Sequence, residues 1–182
     1  MLANKGYFVR LVSFSVLVLT AGLLAAYAQD QTLADIKYKD DYERLQRVVR
    51  VTVPIKRVEQ LLAFYRDRSD ADPKLRDYAD NFFARDMDSL TKQANYVAMR
   101  GLCERALKIR PKFGEAYFYF GIVLKNEGKA QEAMNAFAKC HLIKNPFQTK
   151  GKQQLDILYR KSSGGSLIGE NKIVDAARKE LK

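Results

Sequence analysis

The sequence predicts an all-α protein, a short α-solenoid of antiparallel helix pairs with flanking N- and C-terminal helices. Three observations support this fold class. Apolar residues recur three and four positions apart from Asp40 to the C-terminus, as they do on one face of a helix. Residues 114–144 divide into two such segments at Gly128. The β-branched run at residues 48–53 has no candidate partner strand, so we interpret it as a helix end.

Residues 1–28 have the features of a signal peptide. Lys5 and Arg10 make the start positive, an uncharged apolar run follows, and residues 26–28, Ala-Tyr-Ala, have the form of a cleavage site. This pattern predicts an exported protein, periplasmic or extracellular. The alternative is an N-terminal membrane anchor, because the apolar run is just long enough to cross a bilayer.

The chain is basic, with 32 Lys and Arg against 21 Asp and Glu, a net charge of +11. Most of the surplus lies beyond residue 73. An exported chain without a nucleic-acid motif is expected to meet an anionic envelope surface or an acidic protein rather than nucleic acid. A solvated basic surface that keeps the protein soluble is the simpler interpretation.

Residues 29–39 are polar without a sustained period, which predicts a flexible lead-in. A helical domain is predicted over residues 40–161, and Pro54 is expected to open its second helix. Apolar stripes on the first two helices are predicted to face the core. Their members are Tyr42, Leu45, Val48, Val49, Val58, Leu61, Leu62 and Tyr65.

A third helix is expected to start at Asp72-Pro73, since Asp is a favoured N-cap and Pro suits the first turn. The segment 86–89 is expected to break this helix. Ser89 would then cap a longer helix that runs through Ile109. Residues 74–111 thus predict one helix pair.

Residues 114–147 carry a second pair with a more specific pattern. Seven of its residues stand at fixed spacings: Tyr117, Phe120, Gly121, Leu124, Gly128, Ala133 and Phe137. The stretch resembles a tetratricopeptide (TPR) repeat, and the chain resembles an exported bacterial TPR protein. The small residues would let the two helices approach closely, while the aromatic residues fill the space between them.

The preceding pair, residues 74–111, fits the same frame as a degenerate repeat. Ala106 and Pro111 stand at signature positions, but Met87 stands where the signature has Gly. The better repeat departs from the family as well. Cys140 replaces a usual alanine, and Asn145 replaces the closing proline.

After the repeats, residues 148–160 predict a helix that covers an open end of the stack. Residues 162–169 are read as a flexible linker. Residues 170–182 predict an amphipathic helix. This helix either folds back on the stack or projects to dock on a partner, and the linker permits both.

The chain offers little for catalysis. It has one His, and although Cys140 precedes His141, neighbours on a helix do not face each other. No phosphate-binding loop follows a strand. We therefore predict a protein that is not an enzyme, with no cofactor and no metal site. Cys103 and Cys140 are interpreted as buried free thiols, with a disulfide as the alternative.

In TPR proteins the first helix of each repeat lines a groove that holds a segment of a partner. The resemblance implies that the partner-binding groove consists of Glu115, Phe118, Ile122, Lys125 and Asn126. Phe118 with Ile122 would form an apolar anchor, and Lys125 with Asn126 a polar edge. Alternatively, Phe118 touches a flanking helix.

Together these features predict a non-enzymatic protein-interaction module or scaffold in the bacterial cell envelope. Its partner would be a protein or peptide segment bound in the TPR groove. The alternative is a basic surface-binding protein held to anionic membrane or wall polymer. Self-association through an open end of the stack is a third hypothesis.

Overall fold

The structure is a computed structural model that describes residues 32–182. The predicted signal peptide, residues 1–28, lies outside the described residues. The chain divides into two units, the first ending at Glu43 and the second beginning at Arg44. Within the described part, no helix has both the length and the apolarity needed to span a membrane.

The described part of the first unit, residues 32–43, is helical. The flexible lead-in expected over residues 29–39 is therefore helical from residue 32 onwards. One reason is an ion pair between side chains four positions apart, in which Lys37 Nζ lies 3.1 Å from an Asp41 carboxylate oxygen. Such pairs stabilise a helix even where the apolar residues show no sustained period.

The second unit is a succession of helices. Its helical residues 44–49 are labelled α1. The others are α2 (Pro54–Asp67), α3 (Pro73–Lys92), α4 (Tyr96–Ile109), α5 (Gly114–Asn126), α6 (Ala130–Leu142), α7 (Gln148–Ser162) and α8 (Asn171–Glu180). No strand occurs in the part of the chain that the structure describes, which confirms the all-α class.

Prolines open α2 and α3 at the predicted positions. Pro54 and Pro73 stand in the first turns, where the missing N–H leaves no helical hydrogen bond unmade. Asp72 caps α3, and its Oδ1 accepts a hydrogen bond from the backbone N–H of Lys74 at 2.8 Å.

Helix α3 runs without interruption through residues 86–89, so the predicted break there is wrong. Asp86 is buried, and its Oδ2 accepts a hydrogen bond from Arg57 Nε of α2 at 2.6 Å. Because this ion pair holds Asp86 in the core, the helix continues to Lys92. The second helix of the pair then begins at Tyr96.

Two turns in the second unit have the same backbone hydrogen bonds. The α3–α4 turn contains Ala94 and the α5–α6 turn contains Gly128, 34 residues later, with φ of +52° and +77°. In each turn the next N–H bonds to a leucine carbonyl five residues back. The bonds are Asn95 N to Leu90 O at 3.0 Å and Lys129 N to Leu124 O at 2.9 Å. Equivalent turns therefore close the two helix pairs.

Ala94→Gly should stabilise the protein, and Gly128→Ala should destabilise it. Left-handed backbone is about 1–2 kcal/mol less favourable for alanine, and the freedom of glycine in the unfolded chain offsets part of this difference. A Cβ at Gly128 would meet no atom within 4 Å, so backbone strain dominates there. Urea denaturation should give opposite changes of about 0.5–1 kcal/mol in the free energy of unfolding. Changes of the same sign would contradict the prediction.

Helices α5 and α6 pack closely because Gly121 has no side chain. A Cβ placed on Gly121 would lie 2.6 Å from Cε1 of Phe137, whose ring is fully buried. Ala133, the small residue of α6, is also fully buried. The small residues of the repeat pattern thus lie inside this helix pair.

Gly121→Ala should destabilise the protein, since the buried Phe137 ring must shift to admit the new methyl group. Overpacking of this kind typically costs about 1–3 kcal/mol, which exceeds the gain in helix propensity. Gly101→Ala on α4 is the matched control, because its Cβ would meet no atom within 4 Å. Thermal unfolding should give a lower Tm for Gly121→Ala and an equal or higher Tm for Gly101→Ala. Equal losses in both variants would count against the close approach.

The buried apolar side chains of the second unit form one core that includes Leu45 near its start and Ala177 near its end. Helices close in sequence pack together: α2 on α3 and α4, α4 on α5, α5 on α6, and α6 on α7. Helix α5 also contacts α3. First helices of successive pairs therefore approach each other, which positions the site described below.

Helix α8 folds back onto α6, which decides between the two arrangements that the linker permits. Lys139 Nζ lies 2.6 Å from a carboxylate oxygen of Glu180. The connection before α8 is tied to α7 as well. The Tyr159 hydroxyl donates to the carbonyl of Ile168 at 2.8 Å, and Lys152 Nζ lies 2.9 Å from Glu170.

Candidate functional site

An open cleft of about 720 Å³ lies where α3, the start of α5 and the start of α7 meet. We call it the Glu115 cleft. Three parts of the chain line it: the N-terminal half of α3, the α4–α5 connection with the start of α5, and the α6–α7 connection with the start of α7. The lining residues are Asp77, Asp80, Asn81, Arg110, Lys112, Gly114, Glu115, Lys144, Asn145, Pro146 and Gln148.

Asn145 and Gly114 bring the last of these parts against α5. A Cβ on Gly114 would lie 2.2 Å from Asn145 Nδ2, so only glycine admits the amide at this position. Asn145 Nδ2 donates to the carbonyls of Cys140 and Ile143 at 2.8 and 2.7 Å, and Oδ1 accepts from Phe147 N–H at 2.7 Å. The residue that departs from the closing proline thus satisfies the end of α6 and the start of α7.

Arg110 and Asp80 form a paired wall of the cleft. The two guanidinium nitrogens lie 2.5 and 3.0 Å from the two carboxylate oxygens, a bidentate arrangement. The Arg110 guanidinium carbon also lies 4.1 Å from the ring centroid of Phe113 and 4.7 Å from that of Tyr65. Both oxygens of Asp80 are therefore occupied, and Arg110 is held in place on two sides.

Glu115 lies in the first turn of α5 and is only 7% exposed. Among the described residues, no other side chain forms an ion pair or a hydrogen bond with its carboxylate. Burial raises the pKa of Glu115 to about 7. Asp80 and Asp77 raise this pKa further, whereas the residue's own backbone N–H and the Arg110 charge oppose the rise.

The predicted apolar anchor is not available on the surface. Phe118 is 8% exposed, and its ring stacks on Phe147 with the centroids 4.7 Å apart. The Phe137 ring packs edge-on against the Phe118 ring, with the centroids 5.9 Å apart. Ile122 is partly buried against the core. Phe147 is the N-cap residue of α7, so Phe118 contacts the start of a flanking helix, as the alternative predicts.

The predicted polar edge lies on another surface. Lys125 is exposed, and its Nζ donates to Gln154 Oε1 of α7 at 3.0 Å. It lines a separate depression of about 570 Å³ together with Gly128, Ala130, Ile157, Leu158, Lys161 and Ser162. Asn126 is the exposed last residue of α5. Of the five predicted groove residues, only Glu115 lines the Glu115 cleft.

Sequence reasoning missed Asp80, Arg110 and Asn145 as parts of the site. Asp80 and Arg110 are 30 residues apart, and no local sequence pattern indicates that they form an ion pair. Phe147 was a usable sequence signal for this part of the site, because an aromatic residue immediately before α7 is expected to pack against a neighbouring helix. Asn145 was noted as a departure from the family, but its bonding role depends on the fold.

Cys140 is unsuited to nucleophilic chemistry here. Both Cys103 and Cys140 are buried and unpaired, in agreement with the free-thiol interpretation. Burial raises the pKa of the Cys140 thiol to about 12. Within residues 32–182, no group of three His, Cys, Asp or Glu side chains could hold a metal ion.

Comparison with protein-family models, curated proteins and solved structures found no match to this chain. The TPR resemblance therefore rests on residue spacing and stays a prediction.

Glu115→Gln should change the pH dependence of stability. The folded pKa of about 7 lies above the unfolded value of about 4.3, so the folded state binds the proton more tightly. Wild-type stability should fall as pH rises from about 4 to 7. At pH 8 the variant should be more stable by on the order of 1–2 kcal/mol, because water in the open cleft screens part of the effect.

The measurement is urea denaturation of both proteins at pH 4 and pH 8, and the difference should nearly vanish at pH 4. The exposed Glu104 supplies the matched control, Glu104→Gln, which should alter stability little at either pH. A Glu115→Gln effect of equal size at both pH values would show that titration of this carboxylate is not its cause.

Proposed function

We propose that this chain is a non-enzymatic protein-interaction module, a scaffold of the bacterial cell envelope. Its Glu115 cleft would bind an extended segment of a partner protein. The observation that carries the proposal is an open cleft of about 720 Å³ with an unpaired Glu115 carboxylate in its wall. The envelope location rests on the signal peptide predicted over residues 1–28.

A TPR-like stack is part of the proposal. Its support is the equivalence of the turns at Ala94 and Gly128, whose 34-residue separation equals the length of one TPR repeat. Helices α5 and α7 also begin 34 residues apart, at Gly114 and Gln148. In that frame α3, α5 and α7 are the first helices of successive repeats, and all three contribute to the cleft.

The proposed binding surface differs from the groove that the resemblance implies. It lies at the Glu115 end of α5, because Phe147 covers Phe118. Replacing Phe118 would therefore report on packing rather than on partner binding. Asn81 is the better probe, since it lines the cleft and is exposed on α3.

Selection of peptides from a random phage-displayed library on the purified protein tests the proposal. We expect a consensus sequence whose affinity falls at least about tenfold in Asn81→Arg, because the long side chain would enter the cleft. Val97→Arg is the matched control, since Val97 is 89% exposed and lies on α4, away from the cleft. Both variants add one positive charge, so they separate cleft binding from charge attraction.

The dependence of binding on salt concentration distinguishes binding in the cleft from the surface-binding alternative. Binding in the cleft should change less than about threefold between 50 and 300 mM NaCl, whereas attachment to an anionic polymer should collapse over that range. Failure to recover a consensus, or equal binding by both arginine variants, would overturn the proposal.

A further inference from the structure

We infer that the Glu115 cleft is a binding site for a primary ammonium group, which the Glu115 carboxylate receives. As part of the proposed function, this group would belong to the bound segment, as a lysine side chain or an N-terminal amine. The argument depends on how Glu115 is buried and on which of its neighbours are already engaged.

A buried carboxylate without a partner is unfavourable, and an entering cation would remove that penalty. Glu115 is more than nine-tenths buried and lines the cleft, with no ion-pair partner among the described residues. Arg110, which also lines the cleft, already pairs with both oxygens of Asp80. Glu115 is thus a buried carboxylate in the lining of the cleft whose charge no side chain pairs.

The charges nearby favour a cation over an anion. Asp77 and Asp80 add two carboxylates from α3, and both raise the pKa of Glu115. Lys112 and Lys144 also line the cleft, but both are exposed to solvent. Asp77 is exposed as well, whereas the Asp80 carboxylate is only 13% exposed. Water therefore screens these two ammonium groups more than it screens Asp80.

The carboxylate oxygens available in the cleft also limit which kind of cation can bind there. A divalent metal would require several carboxylate oxygens, yet those of Asp80 are bound by Arg110 and no three-ligand cluster occurs within residues 32–182. A guanidinium binds a carboxylate through a planar fork that uses both oxygens, whereas a compact ammonium needs only one. An ammonium therefore suits the carboxylate of Glu115, a residue that is only 7% exposed, better than a guanidinium does.

Three small probes test the inference by titration into the ¹⁵N-labelled full chain at pH 8, followed by NMR chemical shifts. Nα-acetyl-lysine methylamide carries only a side-chain ammonium, and norleucine methylamide carries only an α-ammonium. Nα-acetyl-norleucine methylamide carries neither and is the matched control. We expect one or both amines to shift the Gly114, Glu115 and Asn81 amide signals with saturation, and the neutral probe to leave them unchanged. Because an α-amine with a pKa of about 8 is only partly protonated at pH 8, each affinity is corrected for the protonated fraction, and the amine that then binds more tightly identifies the source of the ammonium group.

Glu115→Gln should weaken amine binding about ten- to hundredfold, as expected for loss of a charge-assisted hydrogen bond. Glu104→Gln, the same change on the exposed face of α4, should leave it unaltered. Equal binding of the neutral probe, no saturable shift with either amine, or an amine affinity unchanged by Glu115→Gln would overturn the inference.

The outcome is separable from that of the proposed function. If selected peptides bind in the cleft but neither amine does, the interaction module stands and the ammonium site does not. If the amines bind through Glu115 but no peptide consensus emerges, the ammonium site stands without the interaction module.

Discussion

The contact between Asn145 and Gly114 is the constraint on which the site depends. The amide side chain ends α6, begins α7 and occupies the space where any residue larger than glycine would place its Cβ. Phe147 follows directly and stacks on Phe118, so the same short connection also covers the middle of α5. Asn145 therefore determines two features of the site. It closes the apolar part of the helix face, and it leaves the Glu115 end open as a cleft.

Glu115 illustrates how a fold can retain a locally unfavourable group. Its place in the first turn of α5 is favourable, because the helix dipole and the free N–H groups stabilise a negative charge there. Burial works in the opposite direction and prevails, which is why the pKa rises rather than falls. Arg110 could have neutralised Glu115, but its planar fork matches Asp80 and is further fixed by the rings of Tyr65 and Phe113. The Arg110–Asp80 pair is therefore favourable, but it leaves the Glu115 carboxylate without a counter-charge.

Local sequence patterns predicted the helices. Most differences between the predicted and the observed structure come from contacts between residues far apart in the sequence. The approach at Gly121 and the turn at Gly128 follow from residue size and backbone freedom, which are properties of single positions. The uninterrupted course of α3 depends instead on Asp86 finding Arg57, 29 residues earlier. A sequence pattern treats Asp86 as a polar interruption because it cannot show that partner. The burial of Phe118 likewise depends on a contact that residue spacing does not show, with Phe147 at the far end of the same repeat.

Net charge and local charge act over different distances in this protein. The surplus of +11 spreads over many solvated side chains, so its field is screened within about 10 Å at ordinary ionic strength. It can bring acidic surfaces near the molecule, but it does not determine what enters the cleft. Glu115 is only 7% exposed, so contacts within a few ångströms of its carboxylate are screened less than those between surface charges. An acidic site on a basic protein is therefore physically consistent. Under the proposed function, the bound segment would direct its positive group toward Glu115 in the lining of the cleft.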